Sequence, residues 1–250
     1  MSAALQASLL DLADDIALGP LGGAVSRQPL TSGAWLDVRP GWLAGADALF
    51  DNLLDRVAWQ AEEREMYQRI VAVPRLLSFY DEGATLPHPV LEEAREQLSA
   101  HYADELGEPF RTAGLCLYRD GRDSVAWHGD RIGRSRTEDT MVAILSIGAP
   151  RQLLLRPRPG SPLRSHSADV SSADASSSDG SSSDASTPHG SPPGGGAPNS
   201  AAGVLRHSLG HGDLIVMGGS CQRTWEHAVP KTSKPVGPRI SIQFRPRGVR

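Results

Sequence analysis

The stretch "DSVAWHGDRIGR", residues 123–134, places a histidine and an aspartate two positions apart. Alternate residues of a β-strand point to the same face, so His128 and Asp130 could present an imidazole and a carboxylate to one ion. Two histidines with one carboxylate form the facial triad that holds non-heme iron(II) and leaves coordination positions open. His227 is the candidate for the third ligand, because a jelly roll could bring it back across the sheet.

The same spacing recurs at His211 and Asp213, in the sequence "HGDL". Such a pair arises readily by chance, so spacing alone does not choose between the two copies. The segment "LGHGDLIVM" is typical of a Gly-flanked turn that leads into a strand, where Asp and Gly serve backbone geometry. Ligand type and strand context together favour His128 and Asp130 as the metal pair.

The segment "RISIQFR" near the end of the chain alternates strictly between polar and apolar residues. Arg239, Ser241, Gln243 and Arg245 share one face of the predicted strand, and the apolar residues share the other. If the polar face lines an interior, its arginines need a partner, because an unpaired buried guanidinium is costly. A dicarboxylate would meet that need, since the guanidinium fork binds carboxylates through two parallel hydrogen bonds.

Three segments hold these candidates in a fixed order: "LCLYRDGRDSVAWHGD", "QRTWEHAVP" and "GPRISIQFR". In this combination the chain resembles the AlkB-type iron(II)- and 2-oxoglutarate-dependent dioxygenases, which repair alkylated nucleic acids. The resemblance extends from about residue 37 to residue 247 outside a low-complexity region, and it is densest from Leu115 onward.

The resemblance assigns roles to matching positions. It implies three iron ligands, namely His128, Asp130 and His227. It places Tyr118 and Arg239 on the distal carboxylate of 2-oxoglutarate and Arg245 near its metal-chelating end. Two further positions depart from the family pattern inside the co-substrate pocket: Ser241 stands where relatives often carry asparagine, and Cys116 stands where the pattern reads Asn-x-Tyr. A thiol hydrogen-bonds much more weakly than an amide, which bears on the affinity for 2-oxoglutarate.

The reaction that the resemblance implies is oxidative demethylation with Fe(II), 2-oxoglutarate and O2. The N-methyl group of 1-methyladenine or 3-methylcytosine in DNA or RNA is hydroxylated and leaves as formaldehyde, with succinate and CO2 as co-products. Such an enzyme must take its target base out of the stack. The candidate substrate contacts are Tyr80, His88, Arg122 and Trp127. Two alternatives stay open: an oxygenase for a protein or small molecule, and a non-catalytic jelly-roll binding module.

The surrounding elements predict an α+β fold. "PGWLAGADALFDNLLDRVAW" and "PVLEEAREQLSAHYADEL" have helical spacing of apolar residues behind Pro40 and Pro89, and short strands with turns follow from Phe110 onward. Helices followed by strands favour a sandwich or jelly roll. With the resemblance, we expect a double-stranded β-helix, cupin-like core with N-terminal flanking helices.

The predicted domain organisation is one dioxygenase domain at 37–250 behind a partly ordered N-terminal extension at 1–36. A run rich in Ser, Asp, Gly and Pro at about 159–203 has almost no large apolar residues, so it is expected to be a disordered insertion between two strands.

Charge is distributed unevenly along the chain, which has a formal net charge of −4. Residues 1–110 contain 7 Lys or Arg against 18 Asp or Glu, whereas residues 204–250 contain 8 against 2. A basic motif-bearing half suits an anionic partner such as nucleic acid. Two cysteines without CxxC spacing argue against a disulfide framework or a cysteine-based zinc site. With no apolar run long enough for a membrane span, we expect a soluble, cytoplasmic monomer.

Overall fold

The computed structural model describes residues 15–66, 69–130, 137–160 and 203–249. Most of the predicted insertion, residues 161–202, lies outside the described residues, as does the start of the predicted N-terminal extension. Within the described ranges, no helix is long and apolar enough to cross a membrane.

Two antiparallel sheets face each other. The larger sheet consists of β2 (Ser26–Pro29), β3 (Ala34–Arg39), β5 (Gln60–Met66), β6 (Arg69–Tyr80), β7 (Thr112–Tyr118), β9 (Val142–Gly148), β12 (Asp213–Gly219) and β14 (Arg239–Arg245). Their spatial order is β2-β3-β12-β9-β14-β7-β6-β5. The smaller sheet consists of β8 (Val125–His128), β10 (Arg151–Pro157), β11 (Leu205–Leu209) and β13 (Trp225–Val229), in the order β11-β10-β13-β8. A separate pair joins β1 (Ala17–Leu18) to β4 (Leu43–Ala44).

The helices cover the outer face of the larger sheet. They are α1 (Ala46–Arg56), α2 (Pro89–His101) and the short α3 (Ala103–Leu106), while α4 (Cys221–Thr224) lies between β12 and β13. Pro89 occupies the first turn of α2, where a missing N–H costs nothing, and the ring Nδ1 of His88 accepts a hydrogen bond from the amide of Val90 at 3.2 Å. The two predicted helices are therefore confirmed.

Strand alternation divides the apolar residues into two cores. On β14, Ile240, Ile242 and Phe244 pack outward into the cluster that also buries α1 and α2. Cys116 and Tyr118 of β7 point inward, into the cluster between the two sheets. This two-sheet arrangement with flanking helices is the predicted double-stranded β-helix.

The hairpin formed by β5 and β6 was not predicted. The sequence of β5 is mostly charged, and β6 contains Pro74, which normally argues against a strand interior. Pro74 is tolerated because β7 pairs only with residues 76–80 of β6, and the β5 register is irregular between Ala61 and Glu63. The carbonyl of Pro74 instead accepts a hydrogen bond from the amide of Ser124 at 2.8 Å.

Two further features bear on the predicted domain limits. Strands β2 and β3 belong to the larger sheet, so the expected boundary between residues 36 and 37 falls inside β3. The predicted insertion connects β10 to β11, which pair antiparallel with Leu155 opposite Leu205. The chain therefore leaves the smaller sheet and re-enters it at neighbouring positions.

Candidate metal centre

Strand pairing brings the three predicted metal ligands together. His128 at the end of β8 lies opposite His227 of β13 in the register, and their ring centroids are 4.2 Å apart. Asp130 follows two residues after His128. One ligand atom from each of the three residues lies within 4.8 Å of the other two, which is close enough to bind a single ion.

Hydrogen bonds orient these side chains. The Nδ1 atom of His128 is 2.9 Å from the carbonyl of Ala126, so it donates to that oxygen and leaves Nε2 free as a metal ligand. This Nε2 is 3.5 Å from Oδ1 of Asp130. The other oxygen of Asp130, Oδ2, accepts a hydrogen bond from Arg245 Nε at 3.0 Å and lies 2.9 Å from Arg245 Nη2 in the same ion pair. The backbone amide of Asp130 donates to Gln222 Oε1 at 2.9 Å.

The protonation states suit a cation. Burial alone would raise the pKa of Asp130, but the guanidinium of Arg245 and the imidazoles of His227 and His128 outweigh it and hold that pKa below its usual range. Burial, helped by the neighbouring His128, lowers the pKa of His227 to about 3. A carboxylate and neutral imidazoles are the forms that bind a divalent metal.

The depressed pKa of His227 predicts acid sensitivity of the metal-free protein. In the unfolded chain this imidazole takes up a proton near its ordinary pKa of about 6.5, whereas in the folded protein it stays neutral down to about pH 3. The unfolded state therefore binds the proton first, and stability falls as the pH drops from about 6.5 to about 3. Urea unfolding of metal-free protein across this range should show a smaller loss for His227→Gln than for the wild type. An unaltered pH dependence in His227→Gln would contradict the assignment, and the exposed His101→Gln is the control.

The second His-x-Asp pair lies elsewhere and serves the backbone. His211 Nδ1 accepts a hydrogen bond from the amide of Gly148 at 2.7 Å. The carboxylate of Asp213 accepts from the amides of Gly210 at 2.7 Å and Gly41 at 2.8 Å. These contacts agree with the turn geometry expected for this segment.

A cavity of about 470 Å³ opens beside the three candidate ligands. Arg239 lies on its wall and is 1% exposed. Its Nε donates to Ser146 Oγ at 2.9 Å, whereas its Nη1 has no hydrogen-bond partner among the described residues. Burial raises the pKa of the adjacent Tyr118 to about 12, so its hydroxyl remains a neutral donor. A buried cation with one unsatisfied nitrogen, next to a phenol, suits an anionic carboxylate.

The remaining predicted co-substrate residues lie on the same wall. Cys116 of β7 and Ser241 of β14 are partners in the sheet register, and both line the cavity. Gln243 connects them, because its Nε2 donates to Cys116 Sγ at 3.5 Å and to Ser241 Oγ at 3.3 Å. Its Oε1 accepts from Arg245 Nη2 at 2.5 Å, which links this wall to the metal ligands.

Replacing the weakly hydrogen-bonding thiol of Cys116 should strengthen binding of 2-oxoglutarate. Cys116→Asn supplies an amide where the thiol stands, and one added hydrogen bond contributes about 1 kcal/mol. We expect the KM for 2-oxoglutarate to fall by about fivefold, measured from succinate formation over a range of 2-oxoglutarate concentrations. Arg119→Gln, an exposed site just beyond Tyr118, is the control. An unchanged or higher KM in Cys116→Asn would contradict the expectation.

Three of the predicted substrate contacts do not line the metal cavity. Tyr80 packs against the outer core from the opposite face of β6, and His88 caps α2. Arg122 is exposed at a turn, where it pairs with Asp120 at 2.6 Å. The structure therefore does not bring these three residues to the metal centre, and their contact with a substrate stays a prediction.

Trp127 lies nearer to the metal centre. It lines a groove of about 580 Å³ that borders the metal cavity and shares His128 with it. The guanidinium of Arg156 lies 4.2 Å from the centre of the Trp127 ring. The indole is thus partly covered by a cation on the surface next to the metal centre.

The cavity wall formed by β6 was not predicted from the sequence. Arg75, Leu77 and Phe79 of β6 alternate along the strand and all line the cavity. Arg75 Nη1 donates to the carbonyl of Ser124 at 3.1 Å, while its Nε has no hydrogen-bond partner among the described residues. Pro74 argues against a strand in this segment, so its cavity-lining face was not recognised from the sequence.

This fold and this centre define a class of enzyme. A family model described as the 2OG-Fe(II) oxygenase superfamily matches residues 78–245. The chain belongs to that superfamily, and it is a dioxygenase that uses Fe(II), 2-oxoglutarate and O2.

Within the superfamily, the similar proteins are AlkB homologues. Alpha-ketoglutarate-dependent dioxygenase alkB homolog 3 of Bos taurus is 27% identical over 256 residues, which cover 94% of this chain and 72% of that protein. The DNA oxidative demethylase ALKBH2 of Homo sapiens is 26% identical over 217 residues, 81% of this chain and 69% of that protein. The predicted AlkB-type family is therefore confirmed.

A solved structure supports the fold alone. A prolyl hydroxylase of Trichoplax adhaerens, in complex with a peptide fragment of hypoxia inducible factor, superimposes with a TM-score of 0.50 at 8% sequence identity. The match covers 85% of this chain and 83% of the hydroxylase. The double-stranded β-helix prediction is confirmed by this likeness and by the family model.

The residues present fit the implied cofactors. Two imidazoles and a carboxylate match the donor set of an open iron(II) site. The unpartnered Nη1 of Arg239 supplies the buried cation that a carboxylate of 2-oxoglutarate requires.

Proposed function

We propose that this enzyme removes N-methyl groups from bases such as 1-methyladenine and 3-methylcytosine in DNA or RNA. The observation that carries the proposal is the similarity over 81% of the chain to a protein described as a DNA oxidative demethylase. The cavity supports it as well, because Arg75 and Phe79 also line it. A guanidinium and an aromatic ring suit a phosphate-bearing, planar substrate.

The roles of the side chains follow from the geometry. When bound, Fe(II) and 2-oxoglutarate supply O2 activation, so that the methyl group is hydroxylated while succinate and CO2 form. His128, Asp130 and His227 hold the metal, and Arg239 with Tyr118 orients the co-substrate through its distal carboxylate. Arg245 holds Asp130 in its metal-binding orientation by a hydrogen bond and an ion pair. The hydroxymethyl group then leaves the base nitrogen as formaldehyde, which restores the unmodified base.

The charge distribution supports an anionic substrate. The acidic residues are concentrated before residue 111, whereas the segments that carry the metal ligands and the arginines of β14 are basic. Phosphate neutralisation by such segments supplies much of the affinity in nucleic-acid complexes. The proposal does not distinguish single-stranded from duplex substrates.

The deciding experiment is mass spectrometry of short oligonucleotides that contain one 1-methyladenine or 3-methylcytosine. They are incubated with the protein, Fe(II), ascorbate and 2-oxoglutarate, next to His128→Ala and to the surface control His101→Ala. We expect loss of one methyl group, about fourteen mass units, with the wild type and His101→Ala only. Succinate formation without this loss would assign the centre to a protein or small-molecule substrate. The absence of both would favour a binding module.

A further inference from the structure

One face of β6 lines the metal cavity. Among the described residues of β6 that line it, Phe79 is the only aromatic one. Arg75, Leu77 and Phe79 point into the cavity, whereas Leu76 and Tyr80 pack against the outer core. Side chains of successive strand residues point to opposite faces, so the residues of β6 that line the cavity alternate with residues on the face toward the outer core. Phe79, rather than its neighbour Tyr80, therefore faces the substrate side.

Exposure places the Phe79 ring at the entrance. Phe79 is 50% exposed, while Leu77 beside it on β6 is 1% exposed and Asp130 is 4% exposed. Phe79 also borders a second cavity of about 280 Å³, so it lies where the two cavities adjoin. Neither core cluster of the described residues includes it. Its ring therefore contributes little to the packed interior.

Gly114 on the neighbouring strand leaves the space that the Phe79 ring occupies. Phe79 lies opposite Gly114 of β7 in the register. A Cβ atom at Gly114 would lie 3.1 Å from Phe79 Cε1 and 2.9 Å from Arg245 Nη1. Any larger side chain at this position would have to displace the Phe79 ring or the arginine. The ring is thus held over a gap in the sheet surface, beside the arginine that orients Asp130.

Building on the proposed demethylase function, we propose that Phe79, seated over Gly114, is the surface on which the target base stacks. A base that has left its helix loses its neighbours, and a planar apolar side chain replaces them. The ring of Phe79 is exposed at the mouth of the cavity, so it gains stacking energy only when a ligand such as the base covers it. Phe79 is then a substrate-contact residue that sets the affinity for the extruded base.

The test compares binding of two oligonucleotides that differ only in the target base. One carries 3-methylcytosine and the other an abasic site at the same position, both measured with Fe(II)-loaded protein and 2-oxoglutarate under anaerobic conditions. Stacking of a base on an aromatic residue corresponds to a preference of about 10-fold to 100-fold. Phe79→Leu keeps the apolar character but removes the planar ring, so we expect most of this preference to be lost. Phe79→Trp should retain it.

The KM for the methylated oligonucleotide should rise in Phe79→Leu by more than kcat falls, because the lost contact acts mainly in binding. Gly114→Ala gives a second perturbation, since its Cβ displaces Arg245 Nη1 or the Phe79 ring without removing the ring, and it should reduce the same preference. Leu54→Ala is the control, because Leu54 is an exposed apolar residue of α1 outside the cavity. It should behave like the wild type.

The outcomes separate this inference from the proposed function. If the wild type demethylates and Phe79→Leu keeps its full preference for the base, the stacking role is overturned while the function stands. Equal losses in Phe79→Leu and Phe79→Trp would likewise overturn it, because planarity would then be irrelevant. If the wild type forms succinate but neither demethylates nor prefers the base over the abasic site, the function itself fails, and the inference fails with it.

Discussion

Asp130→Asn is expected to reduce Fe(II) affinity by at least about 100-fold and to reduce oxygenase turnover to background. The carboxylate has two roles that an amide cannot fill together. Its Oδ1 is the proposed anionic ligand beside His128, and its Oδ2 accepts a hydrogen bond from the buried Arg245 and forms an ion pair with it. Replacing it removes the negative charge from both the ion and the guanidinium, and breaking a buried pair costs about 3–5 kcal/mol.

An anaerobic titration with Fe(II) in the presence of 2-oxoglutarate measures this effect directly, and succinate formation measures turnover. Circular dichroism of the variant establishes that it has folded before either value is interpreted. Asp120→Asn is the matched control, because Asp120 is an exposed carboxylate at the nearby turn, paired with Arg122. Fe(II)-dependent succinate formation by folded Asp130→Asn at the wild-type rate would remove Asp130 from the metal centre.

Arg239→Gln should raise the KM for 2-oxoglutarate by about 100-fold or more, because truncating one partner of a buried charge pair costs about 2–5 kcal/mol. The stability of the ligand-free protein should behave differently. The Arg239 guanidinium is buried with Nη1 unpartnered among the described residues, so removing it relieves a desolvation cost. We therefore expect the unfolding temperature without ligand to stay the same or rise.

Thermal unfolding with and without 2-oxoglutarate, in the presence of metal under anaerobic conditions, separates the two effects. The wild type should be stabilised by the co-substrate, and Arg239→Gln should lose that stabilisation at the same concentration. Arg119→Gln is the control, since Arg119 is half exposed and pairs with Asp123 just beyond Tyr118. A wild-type KM in Arg239→Gln would exclude the proposed carboxylate anchor.

The parts of the centre that could be predicted from the sequence are those set by strand periodicity. His128 and Asp130 are two residues apart, and the polar face of β14 is visible as strict alternation. Asp130 and Arg245 are 115 positions apart in the sequence, so no local pattern predicts their pairing. The family resemblance placed Arg245 only near the metal-chelating end of 2-oxoglutarate, so its pairing with Asp130 was not predicted.

The cavity wall formed by β6 was not predicted, and the reason lies in its local sequence. The segment "VPRLLSFY" is apolar at nearly every position, so neither face is marked by polar residues, and Pro74 argues against a strand. Tyr80 was therefore predicted as a substrate contact, and Phe79 was not. Only the register of β6 against β7, with Phe79 opposite Gly114, distinguishes the two rings.

The pairing of Leu155 with Leu205 has a practical consequence for studying this enzyme. The hairpin of β10 and β11 lies at the edge of the smaller sheet, with β13 and its His227 on the inner side. A fluorescent reporter domain with adjacent termini could replace residues 161–202 without altering the strand pairs that hold the ligands. The oxygenase could then be followed in living cells through an internal label, with both chain ends left free.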